Sequence, residues 1–234
     1  MPSLLIDQGT LAEPDRHVGT LDLDLGLQLA VLDGEYRRIS ERLREAGFGP
    51  DRNEQGQPTR QRWRHADGAG APVEFLIPPP GGEAVGGRLQ SLESDFAAVV
   101  APGLGLAFLD RARVRLSGRT LLGETVSREV SVCGPGAYVV LKALAFEGRG
   151  ANKDAYDIFF VLQHLPGGLG AIAAALRPLC EDPAGRHALE VLRRDFRTLD
   201  GPGPVRVGEF LGGPADELRA QVVGLVDRLL REVG

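Results

Sequence analysis

The stretch HVGTLDLDLGL, from His17 to Leu27, places two carboxylates in an otherwise apolar segment. Apolar and polar residues alternate strictly over TLDLDLGLQL, Thr20–Leu29, and this alternation predicts a β-strand. Residues two apart in a strand point the same way, so Asp22 and Asp24 are expected on one face and the leucines on the other. Two like charges this close repel, which makes a shared divalent cation, in particular Mg²⁺, their natural partner. Two solvated aspartates on an exposed strand face would give the same pattern.

Two further features lie near the acid pair in sequence. Glu74 is an acid alone in the apolar run PVEFLIP, and it would add a third carboxylate from a neighbouring strand, enough for a two-metal cradle. The other interpretation of Glu74 is an edge-strand charge that discourages aggregation. Gly9 and Thr10 follow SLLID, Ser3–Asp7, an apolar run that predicts a buried strand. They predict a turn whose backbone amides approach phosphate oxygens.

The pattern of the chain changes near Gly134. Before it, GEYRRISERLREAGF (34–48) has helical spacing, and PTRQRWRHADGAGAPVEFLIPPP (58–80) predicts an antiparallel hairpin. Short runs between Phe96 and Cys133, including LGLAFLD, add to the β-rich character. The segments after CGPG have helical periodicity. The sequence therefore predicts an α+β fold, with a mixed β-sheet domain over 1–133 and an α-helical domain over 134–234.

The two lysines lie in one short segment of this arginine-rich chain, which has 27 basic residues, 25 of them arginine. Lys142 would lie on a largely apolar helix, where a buried ammonium needs an anionic partner such as a nucleoside triphosphate or Asp157. Asp154 and Asp157, in NKDAYDIFF, are three apart and share a helix face, with Asp154 near the N-terminus where negative charge is favoured. A helix that simply begins near Lys153, with a structural Lys142–Asp157 pair, would explain the same residues.

A third group of charges alternates in TRQRWRH. Arg60, Arg62 and Arg64 are expected on one strand face and Trp63 on the other. Such a face suits phosphate or RNA, and ordinary solvation of a hairpin surface is the alternative. The histidines show no Ser-His-Asp or Cys-His order, and each is predicted to be structural. They are His17, His65, His164 and His187.

Composition limits the class of protein. A chain of 234 residues with 43% hydrophobic residues can bury a real core without disulfides, and Cys133 and Cys180 lack any paired spacing. These features favour buried free thiols in a reducing compartment. The absence of a signal pattern or a bilayer-spanning segment predicts a cytoplasmic protein without a membrane partner. A net charge of -5 argues against a general nucleic-acid coat but leaves room for a local patch that binds structured RNA.

The motifs together resemble a known superfamily. Gly9-Thr10, TLDLDL and Glu74 resemble the nucleotidyltransferase pattern of a glycine turn, an acid-x-acid strand and a third acid. The segment LKALAFEGRGANKDAYDIFFVL resembles the AbiEii/AbiGii toxin branch, which pairs a lysine helix with an Arg/Lys-Asp then Tyr/Ile-Asp helix. The resemblance implies one or two Mg²⁺ on the three acids, with Glu74 completing the metal site or activating the acceptor. It also implies a nucleotide site formed by Gly9, Thr10, Lys142, Lys153, Asp154 and Asp157, in which Lys142 is also catalytic because it offsets the charge of the triphosphate.

The resemblance implies a reaction and partners as well. A nucleoside monophosphate would pass from a nucleoside triphosphate to an acceptor hydroxyl on tRNA or another cellular target. The protein would act as the toxin of a toxin–antitoxin or phage-defence pair, with a cognate antitoxin protein as a further partner. Two alternatives stay open: a small-molecule acceptor such as an antibiotic, and a catalytically silent nucleotidyltransferase-fold module that binds a nucleotide or a partner protein.

Overall fold

The computed structural model describes residues 2–12, 16–19, 22–28, 39–68, 70–82, 86–120, 123–212 and 215–234. These residues form an α+β fold. Its elements in chain order are α1 (Pro2–Leu5), β1 (Leu23–Gly26), α2 (Ile39–Glu45), β2 (Phe48–Arg52), β3 (Pro58–His65), β4 (Val73–Ile77), β5 (Leu89–Ser91), β6 (Ala97–Val100), α3 (Leu106–Leu109), β7 (Arg111–Arg119), β8 (Thr125–Cys133), α4 (Pro135–Arg149), α5 (Asn152–His164), α6 (Gly168–Leu176), α7 (Pro183–Asp195), α8 (Pro202–Leu211) and α9 (Ala215–Val233).

The chain divides into two compact units that are not consecutive in sequence. The sheet unit comprises Gly19–Leu104 and Arg119–Glu124. The helical unit comprises Met1–Val18, Gly105–Gly118 and Thr125–Gly234. The change of pattern near Gly134 coincides with the start of α4 at Pro135. The regular elements described after this point are helices.

The sheet unit is organised around β4. The Leu23 amide of β1 donates to the Pro72 carbonyl, and the Leu27 amide, next to β1, donates to the Leu76 carbonyl. The Ile77 carbonyl instead accepts from the amide of Ala101, next to β6. Successive carbonyls of a strand point to opposite edges, so β1 lies along one edge of β4. On the other edge β4 pairs antiparallel with β3 and parallel with β6. The sheet of β1 to β6 is therefore mixed, as predicted.

The core of the sheet unit lies on one face of β4. Val73, Phe75 and Ile77 are buried, and the residues between them are half-buried. Trp63 and Phe96 pack on the same side, with ring centroids 6.1 Å apart. The predicted hairpin of β3 and β4 is confirmed, including the placement of Trp63 on its apolar face.

Two predicted elements of the sheet unit are only partly described. The predicted strand Thr20–Leu29 contains β1, but Thr20, Leu21 and Leu29 lie outside the described residues. The helix predicted within 34–48, with Gly47 as its stop, corresponds to α2, which ends at Glu45 before Gly47 at a φ of 82°. Residues 34–38 lie outside the described part. The side chains of Leu23 and Leu25 stay 44% and 39% exposed. The register places these leucines beside Val73 and Phe75, on the core face.

The helical unit has a larger core. Helix α4 packs against α5, α6 and α7, and α5 packs against α8 and α9. Gly136 allows the close approach of α4 to α6, because a Cβ at this position would lie 2.7 Å from the backbone carbonyl carbon of Ala175. The Asp110 carboxylate accepts a hydrogen bond from the Ala137 amide at 2.8 Å and so satisfies a free donor in the first turn of α4.

The structure corrects two predictions of strands. SLLID, Ser3–Asp7, contains the end of α1 instead of a strand, and LGLAFLD contains α3. Short apolar runs fit a buried strand and a buried helical turn equally well, so periodicity could not distinguish them. Packing decided the outcome, because Ile6 and Leu106 are both buried in the core of the helical unit.

Both cysteines are free thiols, as predicted. Burial, followed by the nearby Asp110 carboxylate, raises the pKa of the Cys133 thiol to about 12. We expect Cys133 to react with a disulfide reagent at pH 8 about 10³-fold more slowly in the native protein than in the denatured one, because the thiolate is the reactive form. Labelling kinetics with and without denaturant test this, and equal rates would contradict it.

Among the described residues, no single helix has the length and apolar character needed to cross a membrane.

Candidate functional site

The sheet unit brings two of the predicted acids together. Strands β1 and β4 are parallel neighbours, and their register places Asp24 directly opposite Glu74. Residues paired in this way lie on the same face of a sheet whose strands are about 4.8 Å apart. Asp24 and Glu74 therefore share the face opposite the apolar core, Asp24 exposed and Glu74 half-buried.

The third predicted acid has a less regular position. Asp22 lies at a bend immediately before β1 and is half-buried, so strand geometry does not determine its direction. Among the described residues, no group of three or more His, Cys, Asp or Glu side chains is arranged to hold a metal ion. Two carboxylates are the donors that Mg²⁺ typically takes from a protein, with water and substrate phosphates as its other ligands. Asp24 and Glu74 fit that requirement.

A cationic residue occupies the same row of the sheet. Arg62 on β3 lies directly opposite Glu74, so Asp24, Glu74 and Arg62 follow one another across three strands. The Arg62 guanidinium donates to the Asp51 carboxylate at 2.8 Å and to the Arg52 carbonyl at 3.1 Å. Sequence reasoning placed Arg62 on a strand face but could not foresee that it shares this face with the acids.

The other predicted arginines also have internal partners. Arg64 donates to the Asp51 carboxylate at 3.3 Å, and Arg60 donates to the Ser91 hydroxyl and the Glu93 carbonyl at 3.0 and 2.9 Å. Burial by itself raises the pKa of Asp51, but a backbone hydrogen bond and the two guanidinium groups lower it overall. These contacts favour the structural interpretation of the arginine face over the phosphate-binding one.

The helical unit contains a buried ionic cluster around Lys142. Its ammonium lies 3.0 Å from a carboxylate oxygen of Asp154 and 2.7 Å from one of Asp157. Both aspartate side chains are 1% exposed, and Lys142 is 21% exposed. Burial by itself lowers the pKa of Lys142, but the two carboxylates raise it overall, so the side chain stays charged. The predicted anionic partner of Lys142 is therefore present within the chain.

Asp157 has hydrogen-bond and ion-pair partners from several parts of the helical unit. Lys153 donates to its two oxygens at 2.9 and 3.0 Å, and His17 Nε2 lies 2.9 Å from Oδ1. Burial by itself raises the pKa of Asp157, but the hydrogen bond with His17 and the charge of Lys142 hold it well below the usual range. The carboxylate is therefore ionised at neutral pH.

Asp154 shares Lys142 with Asp157 and has Arg149 as a further partner. The Arg149 guanidinium, at the end of α4, donates to its two oxygens at 2.6 and 2.8 Å, which is the strong bidentate geometry. Burial by itself raises the pKa of Asp154, but Arg149 and Lys142 lower it overall. Within the described part of the chain, the cluster brings the cations Lys142, Arg149 and Lys153 to the carboxylates of Asp154 and Asp157.

The predicted phosphate turn has local hydrogen bonds. The Gly9 amide donates to the Asp7 carboxylate at 2.9 Å, and the Thr10 hydroxyl donates to the Asp7 carbonyl at 2.7 Å. The Gly9 amide and the Thr10 hydroxyl, which a phosphate would use as donors, are therefore bound to Asp7. Phosphate binding by Gly9 and Thr10 stays a prediction.

Sequence reasoning missed three members of the cluster. His17, predicted to be structural, is 140 positions from Asp157, and no local pattern links them. Its ring is 2% exposed and stacks on Tyr156. Tyr138 lies one helical turn before Lys142, with its ring centroid 5.7 Å from the ammonium, and Arg149 lies in the last turn of the same helix. The spacing of Tyr138, Lys142 and Arg149 along one helix was the one sequence feature that could have indicated that these residues lie together.

The buried aspartates predict a stability loss in acid. The pKa values of Asp154 and Asp157 are lower in the folded protein than the ordinary value of 3.8, so below pH 3.8 the unfolded chain takes up more protons. The stability that they contribute is complete above this pH and is lost as the pH falls through the lowered folded-state values. Urea midpoints measured from pH 5 to pH 2.5 should decrease less steeply for Asp157→Asn than for the wild type, and parallel curves would contradict this.

Comparison of the chain with protein-family models, with curated proteins and with solved structures gave no match. The candidate site therefore depends on its residues and geometry alone.

Proposed function

We propose that this protein is a Mg²⁺-dependent nucleotidyltransferase, which transfers a nucleoside monophosphate from a nucleoside triphosphate to an acceptor hydroxyl and releases pyrophosphate. The observation that carries the proposal is the register of Asp24 opposite Glu74 on parallel strands. Two acids that are 50 positions apart in sequence share one face of the sheet on adjacent strands, and carboxylates are the ligands that Mg²⁺ takes from a protein.

The acids would have different roles in this reaction. Asp24, with Asp22 immediately before the strand, would hold one or two Mg²⁺ together with the triphosphate oxygens. Glu74 would complete this ligand set or accept the proton of the attacking hydroxyl. The bound metal would orient the α-phosphate and neutralise the charge that develops there.

The lysine cluster supports the proposal through its cations. Lys153 and Arg149 are 39% and 64% exposed, so phosphate oxygens can reach them. The buried aspartates hold Lys142 in a fixed position. Gly9 and Thr10 belong to the proposed nucleotide site with Lys142, Lys153, Asp154 and Asp157.

A tRNA hydroxyl is the proposed acceptor, and a toxin with a cognate antitoxin is the proposed biological setting. A small-molecule acceptor would use the same acids.

A catalytically silent module is the second candidate, because Lys142 has two carboxylate partners within the chain and Arg62 lies beside Glu74. In this case the ionic groups would hold the fold together, and the protein would bind a nucleotide or a partner without transferring anything.

Incubation with each of the four α-labelled triphosphates, Mg²⁺ and bulk tRNA distinguishes the two candidates. A labelled tRNA whose formation stops with EDTA supports the enzyme. Label on another component of a cell lysate would support the enzyme with a different acceptor. Binding of triphosphate without any labelled product would overturn the enzyme in favour of the silent module.

A further inference from the structure

The hairpin of β7 and β8 has a row of arginines that the proposed catalytic site does not use. In RARVRLSGR the residues Arg111, Arg113 and Arg115 alternate along β7 and therefore share one face. All three are exposed, Arg113 and Arg115 with 78% and 73% of the side chain accessible. We call these three residues the arginine row.

The opposite strand adds one acid and two hydroxyl groups to this face. Ser117 donates to the Ser127 hydroxyl at 3.0 Å across the hairpin. Glu129 lies 3.5 Å from Arg113 and 3.6 Å from Arg115. Exposed ion pairs at these distances contribute little to stability. Because Glu129 supplies one negative charge beside the three arginines, the arginine row keeps a surplus of positive charge.

The other face of the hairpin holds the row in place. Val114 and Val130 are half-buried there, and Val132 is buried. Because side chains alternate strictly along a strand, the burial of these valines determines which face the arginines occupy. The arginine row therefore lies on a regular two-stranded sheet, which fixes the side of the hairpin that it occupies.

The spacing and chemistry of the row match a polyphosphate. Side chains two apart on a strand repeat about every 6.8 Å, a spacing comparable to that of successive phosphates in a nucleic-acid strand. Each guanidinium can bind a phosphate with two parallel hydrogen bonds. Neither RARVRLSGR nor TVSREVSVC contains an aromatic residue, so these strands lack the aromatic platforms typical of proteins that stack single-stranded bases, and their arginines favour contacts to the phosphates.

We propose that the arginine row binds the ribose-phosphate backbone of the RNA acceptor. This inference rests on the proposed function, because transfer to an RNA hydroxyl requires the RNA to be held on the enzyme. A protein partner would match this repeat only if its acidic side chains alternated along an exposed strand, whereas the phosphates of any nucleic-acid strand follow one another regularly. The chain has a net charge of -5, so a local basic row, and not the overall charge, would attract the RNA.

Binding of fluorescent bulk tRNA, measured by anisotropy between 50 and 200 mM salt, tests the proposal. The triple variant Arg111→Gln, Arg113→Gln, Arg115→Gln should raise Kd about 100-fold at 0.1 M salt and reduce the slope of log Kd against log salt by about 2. The control variant Arg128→Gln, Arg206→Gln, Arg228→Gln changes the net charge equally at exposed arginines outside the row. It should change Kd less than about threefold.

A gain-of-binding variant keeps the test valid if the triple variant unfolds. Glu129→Gln removes the carboxylate beside the row and should tighten tRNA binding about fivefold at 0.1 M salt. Unchanged Kd in Glu129→Gln, equal losses in the two triple variants, or wild-type binding to polyglutamate but not to tRNA would each overturn the proposal.

Catalysis separates this inference from the proposed function. Labelled tRNA formed equally well by the wild type and the arginine-row variant would overturn the inference and leave the enzyme intact. If row-dependent tRNA binding is found without any nucleotide transfer, the enzyme is overturned, and the row stands as an RNA-binding surface.

Discussion

Replacing Asp24 by asparagine is expected to lower the rate of nucleotide transfer about 10³-fold or more, because it removes a charged ligand of the metal that positions the reacting phosphate. The side chain is exposed on β1, so the substitution should leave the fold intact. The measurement is single-turnover transfer of labelled nucleotide in saturating Mg²⁺, combined with a thermal melt of the same preparation.

The matched control for this variant is Glu54→Gln, which also removes one exposed negative charge, in the turn between β2 and β3. Its transfer rate should stay within about twofold of the wild type. The silent module predicts that Asp24→Asn keeps full binding of its nucleotide or partner. An Asp24→Asn protein with wild-type transfer activity would refute the assigned role of Asp24, and with it the metal site.

Replacing Asp157 by asparagine should produce the largest loss of stability. The substitution removes the charge that binds Lys142, Lys153 and His17, and it leaves these groups buried or half-buried with fewer acceptors. Loss of one member of a buried ion pair costs about 3–5 kcal/mol of the free energy of unfolding. For a chain of this size the melting temperature should fall by about 10 °C.

A surface ion pair of the same unit provides the comparison. Asp227 binds Arg197 at 2.7 Å, but their side chains are 29% and 54% exposed. Asp227→Asn should therefore cost no more than about 1 kcal/mol. If the two variants melted at the same temperature, the buried cluster would not be a major source of stability. Melts in the presence of nucleotide would then show whether the cluster acts only in binding.

Local patterns predicted much of the secondary structure of this protein. The alternation around Trp63 placed that ring in the core and the arginines on the other face, as found. The 3.6-residue period predicted the helices after Gly134, and the spacing of Asp154 and Asp157 predicted their common helix face. These patterns are reliable because each depends on neighbours within a few residues along the chain.

Short apolar runs were less informative. The segments that became α1 and α3 hold too few residues for a period of 2 to be distinguished from one of 3.6. Their conformation depended on the contacts of Ile6 and Leu106 with distant helices. Local patterns also could not predict the composition of the two units. Segments distant in sequence, the N-terminal Met1–Val18 and most of the β7–β8 hairpin, belong to the same unit as the C-terminal helices.

The amino-acid sequence by itself determined which face of its strand or helix Asp24, Asp154 and Asp157 occupy, because side-chain direction follows from backbone periodicity. Only the tertiary structure decided which of these faces meet. The register of β1 against β4 placed Asp24 beside Glu74, and helix packing enclosed Lys142 between two carboxylates, with His17 joining from 140 positions away. Such contacts depend on the packing of the whole core, which no local repeat encodes.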